Sequence, residues 1–266
     1  MIALIDADSI VYMIAWHNKD VTDIAGVSQV KTACDEMITS ILSASRATKY
    51  LGSFSSPVNF RHRLYKFAPY KGTRKEKDSW MVRWEPIIKA HLCEKWGFFI
   101  PLDIEADDVM SGVWHLLQPN DQIVICSPDK DLTQIPGLHY DYKKLGEIRS
   151  MSDFQSGHML CTQMLTGDTT DNIKGIPGLG DVKVKALLSS ASTTDELMHR
   201  VKEQYYKHFG EYYGNIIYLE NVIALQLLGP THPLWNEYEG FIKGLVAMHM
   251  RDVPLSEGNS VFSSEL

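Results

Sequence analysis

Cysteine is scarce in this sequence: four residues, Cys34, Cys93, Cys126 and Cys161, are scattered through 266 positions, and no two form a Cys-x-x-Cys pair. A disulfide framework is therefore not expected, and the thiols read as small buried apolar groups in a reducing compartment. No apolar run reaches the length of a membrane span. The N-terminal MIALIDADS meets Asp6 after five residues, unlike a secretory signal. The expectation is a soluble, cytoplasmic protein with no membrane partner. Positive charge is also in short supply, with 26 Lys and Arg against 33 Asp and Glu and a formal net charge of -7. This excludes a protein coated in positive charge but leaves room for a local basic strip. Repeats and low-complexity segments are missing as well.

What is present is enough apolar material, 44% of residues with 10% aromatic, for one α/β domain or a larger domain with a small appendage. The stretch 103–131, DIEADDVMSGVWHLLQPNDQIVICSPDKD, organises the rest. Glu105, Asp107 and Asp108 crowd one end and Asp129 and Asp131 the other. Between them lie an apolar helical run and a buried-strand run, QIVICS. A helix start rich in carboxylates, feeding a strand that ends in Asp-x-Asp, brings both acidic groups to one edge of a parallel sheet. Open α/β folds place their sites at that edge. Five converging carboxylates repel one another, and hard divalent cations, Mg²⁺ or Mn²⁺, relieve the repulsion. Helix-start acids and a turn are the plainer reading of either half taken alone.

Along the chain, Ile2–Ala7 reads as a central strand ending at Asp6, with Ser9 as the cap of a following helix. Helical spacing runs from Val30 to Ser45, and KYLGSFS (49–55) reads as a second strand. Residues 60–84 interleave Arg61, Arg63, Lys66, Lys71, Arg74, Lys75, Lys77 and Arg83 with Tyr65, Phe67, Tyr70, Trp80 and Trp84. Cations for phosphates and rings for unstacked bases suit single-stranded nucleic acid, although the same charge also suits an acidic protein partner. Pro69 and Gly72 break this run into a loop or arch. A helix over Pro86–Trp96 and a strand over Gly97–Pro101 follow. Tyr140 to Met151 reads as short strands and a turn, and Asp153–Leu165 as a helix capped by Ser152.

The segment GDTTDNIKGIPGLG (167–180) is the second informative one. Asp168 and Asp171, three apart, can reach one metal from a single turn. Gly175, Gly178 and Gly180 shape a tight hairpin that opens a helix near Asp181, where amides can cradle a phosphate with Lys183 and Lys185 nearby. An ordinary turn with capping acids is the alternative. Thr194–Leu228 reads as one or two helices whose tyrosines and apolar residues are assigned to packing. Trp235–Met250 is expected to return to the main domain, and Ser256–Leu266 to be a frayed tail.

Taken in order, the strand with Asp6, FRHRLYKFAPYKGTR (60–74), EADD (105–108), SPDKD (127–131) and GDTTDNIKGIPGLG resemble the 5′-nuclease, or flap endonuclease, superfamily. The likeness is nearest to bacteriophage 5′→3′ exonucleases and the 5′-nuclease domain of bacterial DNA polymerase I, and it spans residues 1 to about 190. It implies a PIN-like α/β core over 1–150, with a mostly parallel sheet flanked by helices and an arch at about 60–84. It also implies a helical part over 151–255 carrying a helix-three-turn-helix, a helix-hairpin-helix relative, at about 160–190. By motif position Asp6, Glu105 and Asp107 would form a first metal cluster and Asp129, Asp131 and Asp171 a second. Asp108 and Asp168 would support them through water. Lys71 and Arg74 would contact the scissile phosphate, and Tyr70 would stack on a base. The carbonyls of Ile176 and Leu179 would hold a monovalent cation, K⁺.

The implied activity is divalent-metal-dependent hydrolysis of DNA phosphodiesters to 5′-phosphate products by a monomer. Its partner would be branched or 5′-ended duplex DNA, with the RNA of RNA–DNA hybrids as a further substrate. One departure stands out. Relatives usually carry another Asp after the second strand, just before the segment matching VNFR (58–61), whereas here the run is FSSPVNFR (54–61), with Ser55 and Ser56. Asp8 is the nearby candidate to compensate. Two alternatives stay open: a PIN-type ribonuclease, and a structure-specific DNA-binding protein with a weakened site.

Overall fold

The computed structural model describes residues 1–22 and 25–254, so the tail expected over Ser256–Leu266 lies outside them. The chain begins with β1 (Ile2–Asp6), all of it buried, and turns directly into α1 (Ala7–His17). Asp6, not Ser9, is the cap: its carboxylate accepts from the amides of Asp8 and Ser9, and the Ser9 hydroxyl donates to it in turn. A carboxylate accepts these amides more strongly than a hydroxyl would. Next come α2 (Ala25–Ala44), β2 (Lys49–Ser53), a short α3 (Phe60–Leu64) and α4 (Ser79–Trp96).

Two expectations need correcting in this region. The helix expected from Pro86 starts seven residues earlier and runs through the proline. Its first turns are anchored by Trp84, which is fully buried and donates its Nε1–H to the Asn18 carbonyl at 2.9 Å. The strand expected over Gly97–Pro101 is only a single bridge between Ser53 and Phe99, because the outer edge of β2 is shared with a later strand.

The chain continues with α5 (Ala106–Leu117), β3 (Ile123–Cys126), a 3₁₀ turn (Asp131–Gln134), β4 (Gly137–Tyr140) and β5 (Arg149–Met151). Then follow α6 (Asp153–Thr166), the two-residue strands β6 (Gly167–Asp168) and β7 (Ile173–Lys174), and α7 (Asp181–Leu188). The last elements are α8 (Thr194–Phe209), α9 (Glu211–Leu225), α10 (Trp235–His249) and β8 (Arg251–Asp252). The Ser152 cap of α6 is present as a reciprocal capping box with Gln155.

One mixed sheet has the order β5-β4-β3-β1-β2-β8. Its inner pairs are parallel and its two edge pairs antiparallel. β1 alternates between two cores, as strand geometry requires. Ala3 and Ile5 face α1, α2 and α4, while Ile2 and Leu4 face α5 and α10. A third core, built on Met164, Leu165, Val184, Val201 and Tyr205, holds α6 to α9 together. The boundary near residue 150 is therefore not a clean division, since α10 and β8 rejoin the sheet. The third core also buries Tyr65 and Tyr70 from the basic segment. On α9, by contrast, Tyr212, Tyr213, Ile216 and Leu219, assigned from sequence to packing, are exposed.

Candidate active site

Strand order reverses at β1: the chain runs from β1 to β2 on one side and reaches β3 on the other. The carboxyl ends of β1 and β3 therefore lie side by side at a topological switch point, where a crevice opens. A cleft of about 1070 Å³ lies there. Asp6, Asp8, Glu105, Asp107, Asp129, Asp131, Asp168 and Asp171 all line it, together with Lys71 and Arg74. Carboxylates from four separate segments thus reach one cleft.

Asp6 is buried, and its Oδ2 accepts from the hydroxyls of Ser9 and Ser127 at 2.7 and 2.8 Å. Burial, then the charge of Asp8, push its pKa up to about 6 despite those bonds. Asp107 stands on the first turn of α5, and burial together with the charges of Asp6 and Asp129 raises it well above the ordinary range. Asp129 is exposed and accepts the Asp131 amide at 2.8 Å. Asp131, raised to about 7 by burial and then by Asp129 and Asp168, accepts from Gln163 Nε2 at 2.7 Å. Asp168 caps its own turn by accepting the amides of Thr170 and Asp171.

Glu105 and Asp171 are treated differently. The Tyr70 hydroxyl lies 2.7 Å from Glu105 Oε2 and 2.9 Å from Asp171 Oδ2. The Lys71 ammonium contacts Glu105 and lies 3.7 Å from Asp171, and Arg74 pairs with Asp171 at 2.7 Å. Burial alone would raise Glu105, but Arg61 and Lys71 hold it below its ordinary value. The segment is seated by backbone as well: the Lys71 amide donates to the Asp171 carbonyl at 2.8 Å, with Lys71 in the left-handed region at φ 55°.

Several sequence-derived roles do not survive this geometry. Tyr70 is 6% exposed, so its ring is withdrawn from solvent here and its hydroxyl meets the carboxylates. Asp108 does not reach the cleft. It is wholly buried and takes both arms of Arg61, at 2.5 and 2.8 Å, while accepting the Glu105 amide as a capping box. Arg61, one of the expected surface cations, is therefore a buried tie that also binds the Ala224 carbonyl at the end of α9. Asp8 turns one oxygen to the Ser55 amide at 2.9 Å, and the Ser55 hydroxyl accepts the Ala106 amide at the start of α5.

At the hairpin, a Cβ on Gly175 would sit 2.3 Å from the Thr166 carbonyl carbon, so this glycine serves the chain's own close crossing rather than a phosphate. Gly178, at φ 80°, and Gly180 have open space around them. Lys183 donates to the Gly178 carbonyl, Lys185 is exposed, and the Ile176 carbonyl already accepts the Leu179 amide.

Further residues complete the site. Ser9, Ser127 and Gln163 donate to its carboxylates, and of these Gln163 was not marked by the sequence. Tyr12, likewise unmarked, lines the same cleft beside Trp80.

The donors suit a hard divalent cation, since they are carboxylate oxygens whose burial, and then mutual charge, raise several pKa values. The ion pairs within the cleft go to Glu105, Asp171 and, further out, Glu85. Among the described residues none forms on Asp6, Asp107, Asp129, Asp131 or Asp168. Nor, among those residues, does any set of three His, Cys, Asp or Glu side chains stand ready-made around one ion. Among the described residues no helix is long and apolar enough to cross a membrane.

Comparison with known proteins agrees with this picture. The chain is 26% identical over 185 residues to DNA polymerase I of Bacillus caldotenax, covering 63% of this chain but only 20% of the polymerase. It is 26% identical over 195 residues to the flap endonuclease Xni of Shewanella pealeana, covering 70% of this chain and 74% of the relative. In fold it resembles a T5 5′-exonuclease structure with bound divalent metal ions (zinc), at a TM-score of 0.64 and 14% identity over 93% of each chain. A T5 flap endonuclease complex with DNA and metal ions has a TM-score of 0.59 and 15% identity over 92% of this chain and 99% of that one. The family model for the 5′-3′ exonuclease N-terminal resolvase-like domain matches residues 1–155, and the chain belongs to that family.

Proposed function

We propose that this protein is a structure-specific 5′-nuclease that hydrolyses phosphodiesters of branched or 5′-ended duplex DNA, with divalent cations held by the cleft carboxylates. The observation that carries the reading is the meeting of Asp6, Asp107, Asp129 and Asp131 at the carboxyl edge of two adjacent parallel strands. Asp6, Glu105 and Asp107 would hold one cation, and Asp129, Asp131 and Asp171 the other, with Asp168 in support. When bound, such a pair lowers the pKa of water and stabilises the attacking and leaving oxygens of an in-line displacement.

The chain's own residues do the rest. Lys71 and Arg74 exchange their carboxylate contacts for the non-bridging oxygens of the scissile phosphate and neutralise charge that develops there. Arg61 holds Glu105 ionised, and Ser9 and Ser127 orient Asp6. The open backbone at Gly178 and Gly180, with Lys183 and Lys185, faces the duplex phosphates without reading sequence. A K⁺ ion at this hairpin would draw on the Leu179 carbonyl, and on Ile176 only by loss of its present bond.

A 5′-flap DNA with Mg²⁺ tests the reading. Wild type should cut at the junction to give 5′-phosphate ends. Asp129→Ala should lose about a thousandfold in rate or more while binding the DNA as before. Wild type that binds but never cuts, in Mg²⁺ or Mn²⁺, would overturn hydrolysis. It would favour the second reading, a DNA-binding protein with a weakened site, which is supported by Ser55 spending its hydroxyl on the α5 cap where the family resemblance leads one to expect an acid. A matched RNA flap in the same assay separates DNA from RNA preference.

A further inference from the structure

With Tyr65, Tyr70 and Trp84 buried, most of the rings expected to meet unstacked bases are withdrawn from solvent. Others stand free. Tyr12 is 54% exposed and Trp16 46% exposed, and both belong to α1, the helix that Asp6 caps. Asp8, Tyr12 and Trp16 follow one another at four-residue intervals, which places them in one stripe running away from the carboxylates. Trp80, from the first turn of α4, buttresses the stripe edge-on, with its ring 5.8 Å from Tyr12 and 5.6 Å from Trp16. The Tyr12 and Trp16 rings lie within 10° of parallel, and the Lys19 ammonium sits 4.3 Å from the Trp16 ring centre.

Resting on the nuclease reading above, we propose that Trp16, backed by Trp80 and flanked by Lys19, is a stacking site for the single-stranded 5′ end leaving the cleft. Continuity with the cleft favours a nucleic-acid occupant: Tyr12 and Trp80 line it together with Asp6 and Asp8. A strand whose backbone lies at the carboxylates meets this stripe on its way out. Each step along the stripe is one helical turn, about 5.4 Å. Successive nucleotides of a helical strand rise about 3.4 Å, so a moderately stretched strand can lay neighbouring bases along it. Every base has a face to stack, so the site is tolerant of sequence, and the Lys19 cation, which lies over the Trp16 ring, swings off it to a nearby phosphate as the base stacks.

The test uses the full chain in Ca²⁺, with junction DNA carrying no flap, a short thymidine flap, or an abasic flap of equal length. Fluorescence anisotropy reads affinity. Trp16→Ala should weaken binding of the thymidine-flap DNA by about tenfold or more and leave the flap-free DNA unchanged. Trp16→Phe should recover most of the loss, and Trp80→Ala should give the same pattern more weakly. The abasic flap should bind wild type no better than it binds Trp16→Ala, which tests stacking from the DNA side without relying on a variant. Equal loss on flapped and flap-free DNA, or no loss on either, overturns the inference and leaves this aromatic face to a protein partner. If wild type binds none of the three DNAs, the inference falls together with the nuclease reading. If wild type cuts flaps normally and only the Trp16 pattern is missing, the inference falls alone.

Discussion

Asp107 and Asp108 are chain neighbours on the first turn of α5 with opposite fates. Asp108 points inward, meets both arms of Arg61 and is closed off from water. Asp107 faces the cleft, where burial and the charges of Asp6 and Asp129 raise its pKa, and no cation of the chain pairs with it among the described residues. The same contrast divides the cleft. Glu105 and Asp171 are answered by Lys71 and Arg74, while Asp6, Asp129 and Asp131 are left facing one another. The fold pairs Asp108, Glu105 and Asp171 with its own cations and, among the described residues, leaves Asp6, Asp107, Asp129 and Asp131 without one.

The sharpest way to break that comparison is to remove one neighbour at a time. Asp108→Ala strips the buried Arg61 of its two-armed partner, leaving only Glu105 at 3.3 Å, and should cost about 3–5 kcal/mol of stability, read as a large fall in the denaturant midpoint. Asp107→Asn should do the reverse without metal at pH 8, raising Tm by roughly a few degrees, because it removes a repelled charge. Equal destabilisation by both substitutions would mean the two carboxylates have the same role.

The second expectation concerns pH and metal. The folded pKa values of Asp6 and Asp131, about 6 and about 7, lie above those of the unfolded chain. The native state therefore binds protons that the unfolded chain has released across roughly pH 4–7. This contribution to stability is fully present below that range and is lost as pH rises through 6 and 7. Metal-free protein should thus lose Tm from pH 5 to pH 8. Saturating Mg²⁺ should restore about 2–3 kcal/mol at pH 8 and little at pH 5, as differential scanning calorimetry would show. A metal effect that is the same at both pH values would count against a carboxylate site.

The smallest expected effect is at Ser127, whose hydroxyl donates to Asp6 and accepts the Asp129 amide at 2.9 Å. Ser127→Ala should cost about 1 kcal/mol and weaken Mn²⁺ binding measured by calorimetry. An unchanged metal affinity would make the hydroxyl purely structural.

Much of the site was legible because its parts are local. Asp6 follows an unbroken apolar strand, Asp129 follows another, and Glu105 and Asp107 open a helix with clear periodicity. Period and punctuation are short-range properties, so the chain displays them without folding. The roles that went astray depend on distant partners. Arg61 and Tyr70 sit in a stretch that reads as solvated cations and rings, yet one binds a carbonyl at residue 224 and the other a carboxylate at residue 171. Tyr12 and Trp16 show the converse, since their stripe on α1 reads as ordinary helix until the structure leaves it uncovered.

Sequence alone determined the alternation of strands and helices, the strand ends that carry carboxylates, and the family resemblance those motifs express. Tertiary structure alone decided which charges would be paired. A carboxylate's partner is whatever cation the fold delivers within a few ångströms, and electrostatic energy falls off with distance in space, not with separation along the chain.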